Sequence, residues 1–323
     1  MNRTARPKRP KAVDTLRLSV TDRCNMRCRY CMPAEGIPLL KHDEILSLEQ
    51  MARVVRVSIA KGIRRVRITG GEPLVKRNVV WLVRELAQMP GLDDLAMTTN
   101  GSLLARHAAE LKAAGLHRVN VSLDTLDPEG FRDLTRGGNL DDVLKGINAA
   151  IDAGLKPVKI NVVLMRGIND DPAQFVELAK DLPVHVRYIE RMNYSGMLAE
   201  DDYVSASEII DKLTAISPTQ PDPGPVGSGP ARYLAMPGLK GSIGFIEERG
   251  EHICVNCNRL RLSCDGRLLG CLFQSKEQGI DVRPALQHKD DGPLADAIER
   301  ALQSKPKHRP RNFAREAMSQ IGG

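Results

Sequence analysis

Aromatic residues are scarce: one Trp, five Tyr and five Phe in 323 residues. Proteins that grip single-stranded nucleic acid stack bases on aromatic rings, so this composition argues against that class. The chain also lacks an apolar run approaching the ~18 residues of a membrane-spanning helix. Its basic start, MNRTARPKRPKAV, has no apolar segment of the kind a secretory signal requires. Pro7 and Pro10 interrupt any amphipathic transit helix there. A cytoplasmic location, with thiols kept reduced, is the expectation. An even set of cysteines is missing too. There are seven, and an odd number in a reducing compartment points to metal or redox chemistry rather than a disulfide framework.

Charge of one sign is absent from the body of the chain, although the net charge is +7. Residues 1–11 and residues 304–315 each carry five bases and no acid, and outside them 37 bases face 40 acids. The body is therefore no basic nucleic-acid surface. The two tails are solvated, or make a local contact with something anionic.

From Asp14 to about Glu190 strand-like and helix-like segments alternate. The strand candidates are Thr15–Val20, Arg64–Thr69, Asp94–Thr99, Arg118–Leu123, Lys156–Leu164 and His185–Glu190. Apolar residues recur at helical spacing in Leu48–Ala60, Val79–Met89, Leu103–Ala114, Val143–Ala153 and Ala173–Leu182. Gly62, Gly115 and Gly154 follow three of these as C-caps. Six strand–helix repeats predict an α/β fold with a parallel sheet and right-handed crossovers. Six units fall short of the eight of a complete barrel, which leaves a partial barrel or a doubly wound sheet.

Strand parity chooses between them. Strands covered on both faces read as continuous apolar runs, whereas several here alternate. Leu16, Leu18 and Val20 oppose Arg17 and Ser19. Val66 and Ile68 oppose Arg65, Arg67 and Thr69. Val119, Val121 and Leu123 oppose Asn120, Ser122 and Asp124. Val158, Ile160 and Val162 oppose Lys159 and Asn161. In a partial barrel the apolar set packs on the outer helices and the polar set lines the lumen. A cationic lumen is costly unless it holds water or a charged ligand, so it is expected to bind an anion. After a helix near Ser205–Ala215, residues 217–230 hold five prolines and three glycines and read as an extended connection. The expected division is therefore a barrel domain, 1–216, and a smaller domain, 217–323.

Two cysteine triplets carry the chemistry. Cys24, Cys28 and Cys31 are spaced C-x3-C-x2-C just after the first strand. A structural zinc site wants four ligands, and the nearest further candidate, His42, stands at an unusual offset. A [4Fe–4S] cluster normally takes four cysteines. Held by three, it keeps one iron open for substrate or cofactor. The second triplet is Cys254, Cys257 and Cys271, with Cys264 between. On spacing alone a zinc site using all four remains open.

The loop CNMRCRYC, with Tyr30 before the last cysteine, and the segment Gly70-Gly71-Glu72-Pro73 resemble the radical S-adenosylmethionine (SAM) superfamily. Across almost the whole chain, LRLSVTDRCNMRCRYCMP, RVRITGGEPLVKR, TTNG, RVNVSLDTL, CVNCNRLRLSCDGRLLGCLF and the terminal IGG resemble the GTP 3′,8-cyclases of molybdenum cofactor biosynthesis. The resemblance implies a partial (βα)6 barrel whose mouth is closed by a C-terminal domain, two [4Fe–4S] clusters, and SAM as cofactor. It places Cys24, Cys28 and Cys31 on the first cluster and Cys254, Cys257 and Cys271 on the second, whose open iron binds the purine of GTP. Tyr30, Gly71, Ser122 and Met192 match SAM contacts. Arg17, Arg67, Thr98, Lys159, Arg259, Leu260 and Arg261 match GTP contacts. Arg17 and the double-glycine tail, Gly322 and Gly323, match catalytic positions. The implied reaction is abstraction of the ribose 3′-hydrogen of GTP by a 5′-deoxyadenosyl radical, then closure onto guanine C8 to give 3′,8-cyclo-7,8-dihydro-GTP. An electron donor such as flavodoxin or ferredoxin and a downstream cyclic pyranopterin monophosphate synthase are implied partners, and a homodimer is compatible. Cys264 is left as a packed thiol.

Overall fold

The computed structural model describes residues 12–192, 202–227, 229–247, 254 and 257–306. The first half alternates as its periodicity predicts. Strands β1 (Thr15–Ser19), β2 (Arg65–Thr69), β3 (Asp94–Thr99), β4 (Arg118–Ser122), β5 (Val158–Val163) and β6 (Val184–Ile189) pair in parallel, in sequence order. Helices α1 (Leu48–Ala60), α2 (Val79–Ala87), α3 (Leu104–Ala113), α4 (Pro128–Thr135), α5 (Leu140–Asp152) and α6 (Ala173–Asp181) fill the connections. Helix α7 (Ala206–Ile216) follows.

Local chemistry sets these ends. Ser47 caps α1 in a reciprocal box: its hydroxyl accepts from Gln50 N, and Gln50 Oε1 accepts from Ser47 N. After α3, Gly115 adopts φ +101° and Leu116 N reaches back to Leu111 O at 3.0 Å, a Schellman closure. The alternating strand residues separate as expected. Leu16, Leu18, Val66, Ile68, Val119, Val121, Ile160 and Val162 are at most 1% exposed and form the core with the helices. Each such side chain contributes about 1.5–3 kcal/mol of burial. Three of the eleven aromatics meet at one spot. Tyr188 on β6 stacks on Phe245 at 5.9 Å and meets Phe175 of α6 edge-on at 6.0 Å.

The later residues join the same sheet at both edges. Strands β7 (Gln220–Asp222), β8 (Arg232–Ala235) and β9 (Ile243–Ile246) form an antiparallel meander, and β9 continues the sheet in parallel beside β6. At the other edge β10 (Arg259–Leu262) lies parallel to β1, backed by antiparallel β11 (Arg267–Leu269) and β12 (Ile280–Asp281). The result is one open sheet in the order β12-β11-β10-β1-β2-β3-β4-β5-β6-β9-β8-β7. The six-stranded parallel run is thereby extended to eight, without closing. Helices α8 (Arg283–Leu286) and α9 (Gly292–Gln303) are the last described elements. Arg53 of α1 anchors them, donating to Asp291 Oδ1, Leu286 O and Asp290 O at 2.8–3.0 Å. No helix among the described residues is long and apolar enough to cross a membrane.

Candidate active site

The first cysteine triplet lies at the C-terminal end of the parallel strands, where barrel enzymes build their sites. Three neighbours shape its loop. The segment after β2 binds it from one side: Gly71 N donates to Thr21 O at 2.7 Å and Glu72 N to Arg23 O at 2.8 Å. A Cβ on Gly71 would stand 2.3 Å from Arg23 O, so only glycine permits this approach. The Glu72 side chain is fully buried and accepts from Thr99 Oγ1, Asn100 N and Leu74 N at 2.6–3.0 Å. Burial pushes its carboxyl up to about 7, against those hydrogen bonds. From the other side, the end of α4 grips the loop: Arg27 N and Arg29 N donate to Thr135 O and Leu134 O, and Arg136 Nη1 donates to Arg27 O and Met32 O. Behind it, Tyr30 donates its hydroxyl to Asp124 Oδ2 at 2.8 Å.

The three thiols sit together. Burial pushes Cys28 well up, and Cys31, Asp124 and Cys24 raise it further. Burial likewise raises Cys24. Thiols this mutually unfavourable as anions suit a cationic iron centre, which takes them as thiolates. The neighbouring His42 is exposed on a 3₁₀ turn.

Strand register lines up the lumen. Arg261, Arg17 and Arg67 stand side by side on β10, β1 and β2. Thr98, Asn120, Lys159 and His185 form the next row on β3 to β6. Ser122, Asn161 and Arg187 form another, which continues to Gly244 and Tyr233. Arg118 at the start of β4 is held bidentately by Asp94. Arg187 donates to Asn120 and Asn161 and is hydrogen-bonded to Tyr233. Like charges crowd here. Burial, then Arg261, Arg67, Arg259 and Arg187, drive the Arg17 guanidinium well below its ordinary range. Burial and the arginines 187, 118 and 67 bring Lys159 down to about 7, and burial with Lys159 brings His185 down to about 4. Arg67 Nε, Arg118 Nη1 and Arg187 Nε are buried without a hydrogen-bond partner among the described residues. Buried cations in excess of their acceptors fit a polyanionic ligand such as a triphosphate. The proline-rich connection runs against this cluster: Lys159 Nζ donates to Val226 O at 3.0 Å.

The second triplet flanks β10 and β11 in sequence. Cys257 N donates to Cys254 O at 3.1 Å, and the β10–β11 hairpin returns the chain to Cys271. Burial would raise Cys257, but Arg259 and Lys305 outweigh it and bring the thiol down to about 7. Cys264 lies apart in the core, fully buried and pushed up to about 12 by burial, as a packed thiol should be.

Residues 18–179 match the radical SAM superfamily and residues 184–310 match the family described as Molybdenum Cofactor Synthesis C. The GTP 3′,8-cyclase of Moorella thermoacetica is 48% identical over 319 residues, covering 97% of this chain and 98% of its own. That of Heliobacterium modesticaldum is 47% identical, covering 95% and 97%. The chain belongs to the GTP 3′,8-cyclase family of radical SAM enzymes. The fold also resembles Streptococcus suis SuiB bound to S-adenosylmethionine, with a TM-score of 0.63 at 15% identity over 90% of this chain and 68% of that one.

Within this member of the family, the structure gathers most of the residues singled out in the sequence. Thr98 lies in the lumen row and accepts from Asn120 Nδ2 at 3.2 Å, whereas the Thr99 hydroxyl is committed to Glu72. The Gly71 N–H is spent on Thr21, so the carbonyl is what it can offer a ligand. Leu260 is fully buried in the core, so only its backbone could meet a ligand. Met192 is partly buried beyond β6. Gly322 and Gly323 lie outside the described residues. Arg118, Asn120, Asn161, His185, Arg187 and Tyr233 were not singled out as site residues. All but Tyr233 carried the same parity signal on their strands.

Proposed function

We propose that the lumen of this GTP 3′,8-cyclase divides its work by level. Cys24, Cys28 and Cys31 would hold the first [4Fe–4S] cluster at the strand ends, with SAM beside it against Tyr30, Gly71, Ser122 and Met192. Bound there, the cluster supplies one-electron reductive cleavage of SAM, the source of the 5′-deoxyadenosyl radical. Cys254, Cys257 and Cys271 would hold the second cluster, near the guanine of GTP. The chain's own task is placement. Arg17, Arg67, Lys159, Arg259 and Arg261, with Thr98 and the backbone of Leu260, would hold GTP so that its ribose C3′ hydrogen faces the radical and C3′ lies against guanine C8. Arg118 and Arg187 add charge to the same pocket.

The observation that carries this is the row Arg261–Arg17–Arg67 with Lys159 and Arg187 close by, a buried cationic surface under the cysteine loop. Residues 1–216 would serve as the radical-generating unit, and residues 217–323 as the unit that brings the second cluster and closes the mouth. The Gly322–Gly323 tail would reach the substrate, since a strand without side chains can thread a narrow lumen. A flavodoxin or ferredoxin would supply electrons, the product would pass to a cyclic pyranopterin monophosphate synthase, and the chain would work in the cytoplasm, alone or as a homodimer. The test is anaerobic incubation of the reconstituted protein with GTP, SAM and a reductant. Formation of 5′-deoxyadenosine together with 3′,8-cyclo-7,8-dihydro-GTP is expected, and its absence with both clusters intact overturns the assignment.

A further inference from the structure

Lys305 stands just beyond the end of α9, where Ser304 N closes the helix on Arg300 O. Its ammonium has three N–H donors, and three acceptors meet it: Arg259 O at 2.7 Å, Gly270 O at 2.8 Å and Cys257 Sγ at 3.3 Å. Gly270 directly precedes Cys271, and Arg259 follows Cys257 by two residues. One side chain thus bridges the two segments that carry the second cysteine triplet. The backbones are equally close: a Cβ on Gly270 would stand 3.0 Å from Lys305 Cα, so a glycine admits the approach. The same two segments are also tied by the short β10–β11 hairpin, paired at Arg261–Leu269 and Leu262–Leu268.

We infer that Lys305 is a positioning residue for the second cluster, which rests on the reading that Cys254, Cys257 and Cys271 hold it. Lys305 sets the spacing of the Cys257 and Cys271 segments, and it places a fixed positive charge and an N–H donor on one ligand sulfur. Hydrogen bonds and charge at a ligand sulfur tune an iron–sulfur centre. A cation there favours the more negative, reduced form, so Lys305 raises the midpoint potential of that cluster.

The test uses the full-length chain with Cys24, Cys28 and Cys31 replaced by alanine, so that the second cluster is observed alone. Lys305→Met and Lys305→Arg are made in that background and reconstituted anaerobically. Iron content, electron paramagnetic resonance during a redox titration, and circular dichroism melts are recorded. Lys305→Met is expected to lower the midpoint potential and change the resonance of the reduced cluster. Lys305→Arg keeps the charge on a planar fork that cannot reach all three acceptors, so it restores the potential in part. Loss of iron from Lys305→Met that Lys305→Arg repairs also supports the role. An unchanged midpoint in Lys305→Met, or equal iron loss in both variants with unchanged melts, overturns it. If the parent with Lys305 intact takes up no iron, the assignment of the three cysteines fails, and the inference falls with it by a visibly different result.

Discussion

The Tyr30 hydroxyl donates to Asp124 Oδ2 at 2.8 Å, while Val163 N donates to Asp124 Oδ1 at 2.7 Å. A single carboxylate thus ties the cysteine loop after β1 to the ends of β4 and β5. Tyr30→Phe removes one donor and should cost about 1 kcal/mol in a urea melt of the apoprotein. Asp124→Ala leaves two partners unpaired and should cost about 1–3 kcal/mol. Both should weaken iron retention at the first cluster. A Tyr30→Phe protein with unchanged melt and iron content would show the tie to be incidental.

Gly71→Ala forces a methyl group into the Arg23 carbonyl. Because Gly71 N and Glu72 N hold the loop in place, the expected outcome is selective. Iron should fall from about eight to about four per chain, with the second cluster retained. Iron analysis of the reconstituted variant decides it, and equal loss from both clusters would contradict the local account.

Lys159, brought down to about 7 by burial and three arginines, is largely neutral at pH 8. A bound triphosphate favours the ammonium, so GTP binding should take up a proton at pH 8 and little at pH 6. Affinity should therefore fall as pH rises above 7, by up to about tenfold per unit. The same depression has a second consequence. The unfolded lysine holds its proton up to its ordinary range near 10.5, so the free fold gains stability between pH 7 and that range. Calorimetry in two buffers of different ionisation enthalpy measures the uptake, and Lys159→Met should abolish it.

Deletion of Gly322 and Gly323 should leave iron content, SAM binding and GTP binding intact while turnover falls, on the order of 10²-fold for a misplaced substrate. Product formation at the parental rate would remove the tail from the reaction.

Much of the barrel was legible because parity is a local signal. Arg17, Arg67 and Lys159 announce their face by alternating with Leu16, Val66 and Ile160, and α1 shows its limits through Ser47 and its apolar stripe. What stayed hidden depends on distant partners. Strands β7 to β12 hold four residues or fewer and make sense only beside β1 and β6. Helix α4 is not among the stretches that helical spacing marks, yet its end is what holds Arg27 and Arg29. Arg118 and Arg187 had the right parity, but only the register brings them to Asp94 and Asn161. Gly71 reads as a place for a ligand to approach. Its tight neighbour is the backbone of Arg23.

Strand β1 takes its outer neighbour, β10, from more than 240 residues further along. During synthesis from the N-terminus, the edge of the strand bearing Arg17 stays bare until Arg259–Leu262 have emerged. An exposed parallel edge invites pairing with other chains. Strand β1 therefore waits through most of synthesis for its outer neighbour. A nascent chain arrested anywhere in the first 250 residues presents β1 to the cell as an open template, and such fragments should be among the first that chaperones must cover.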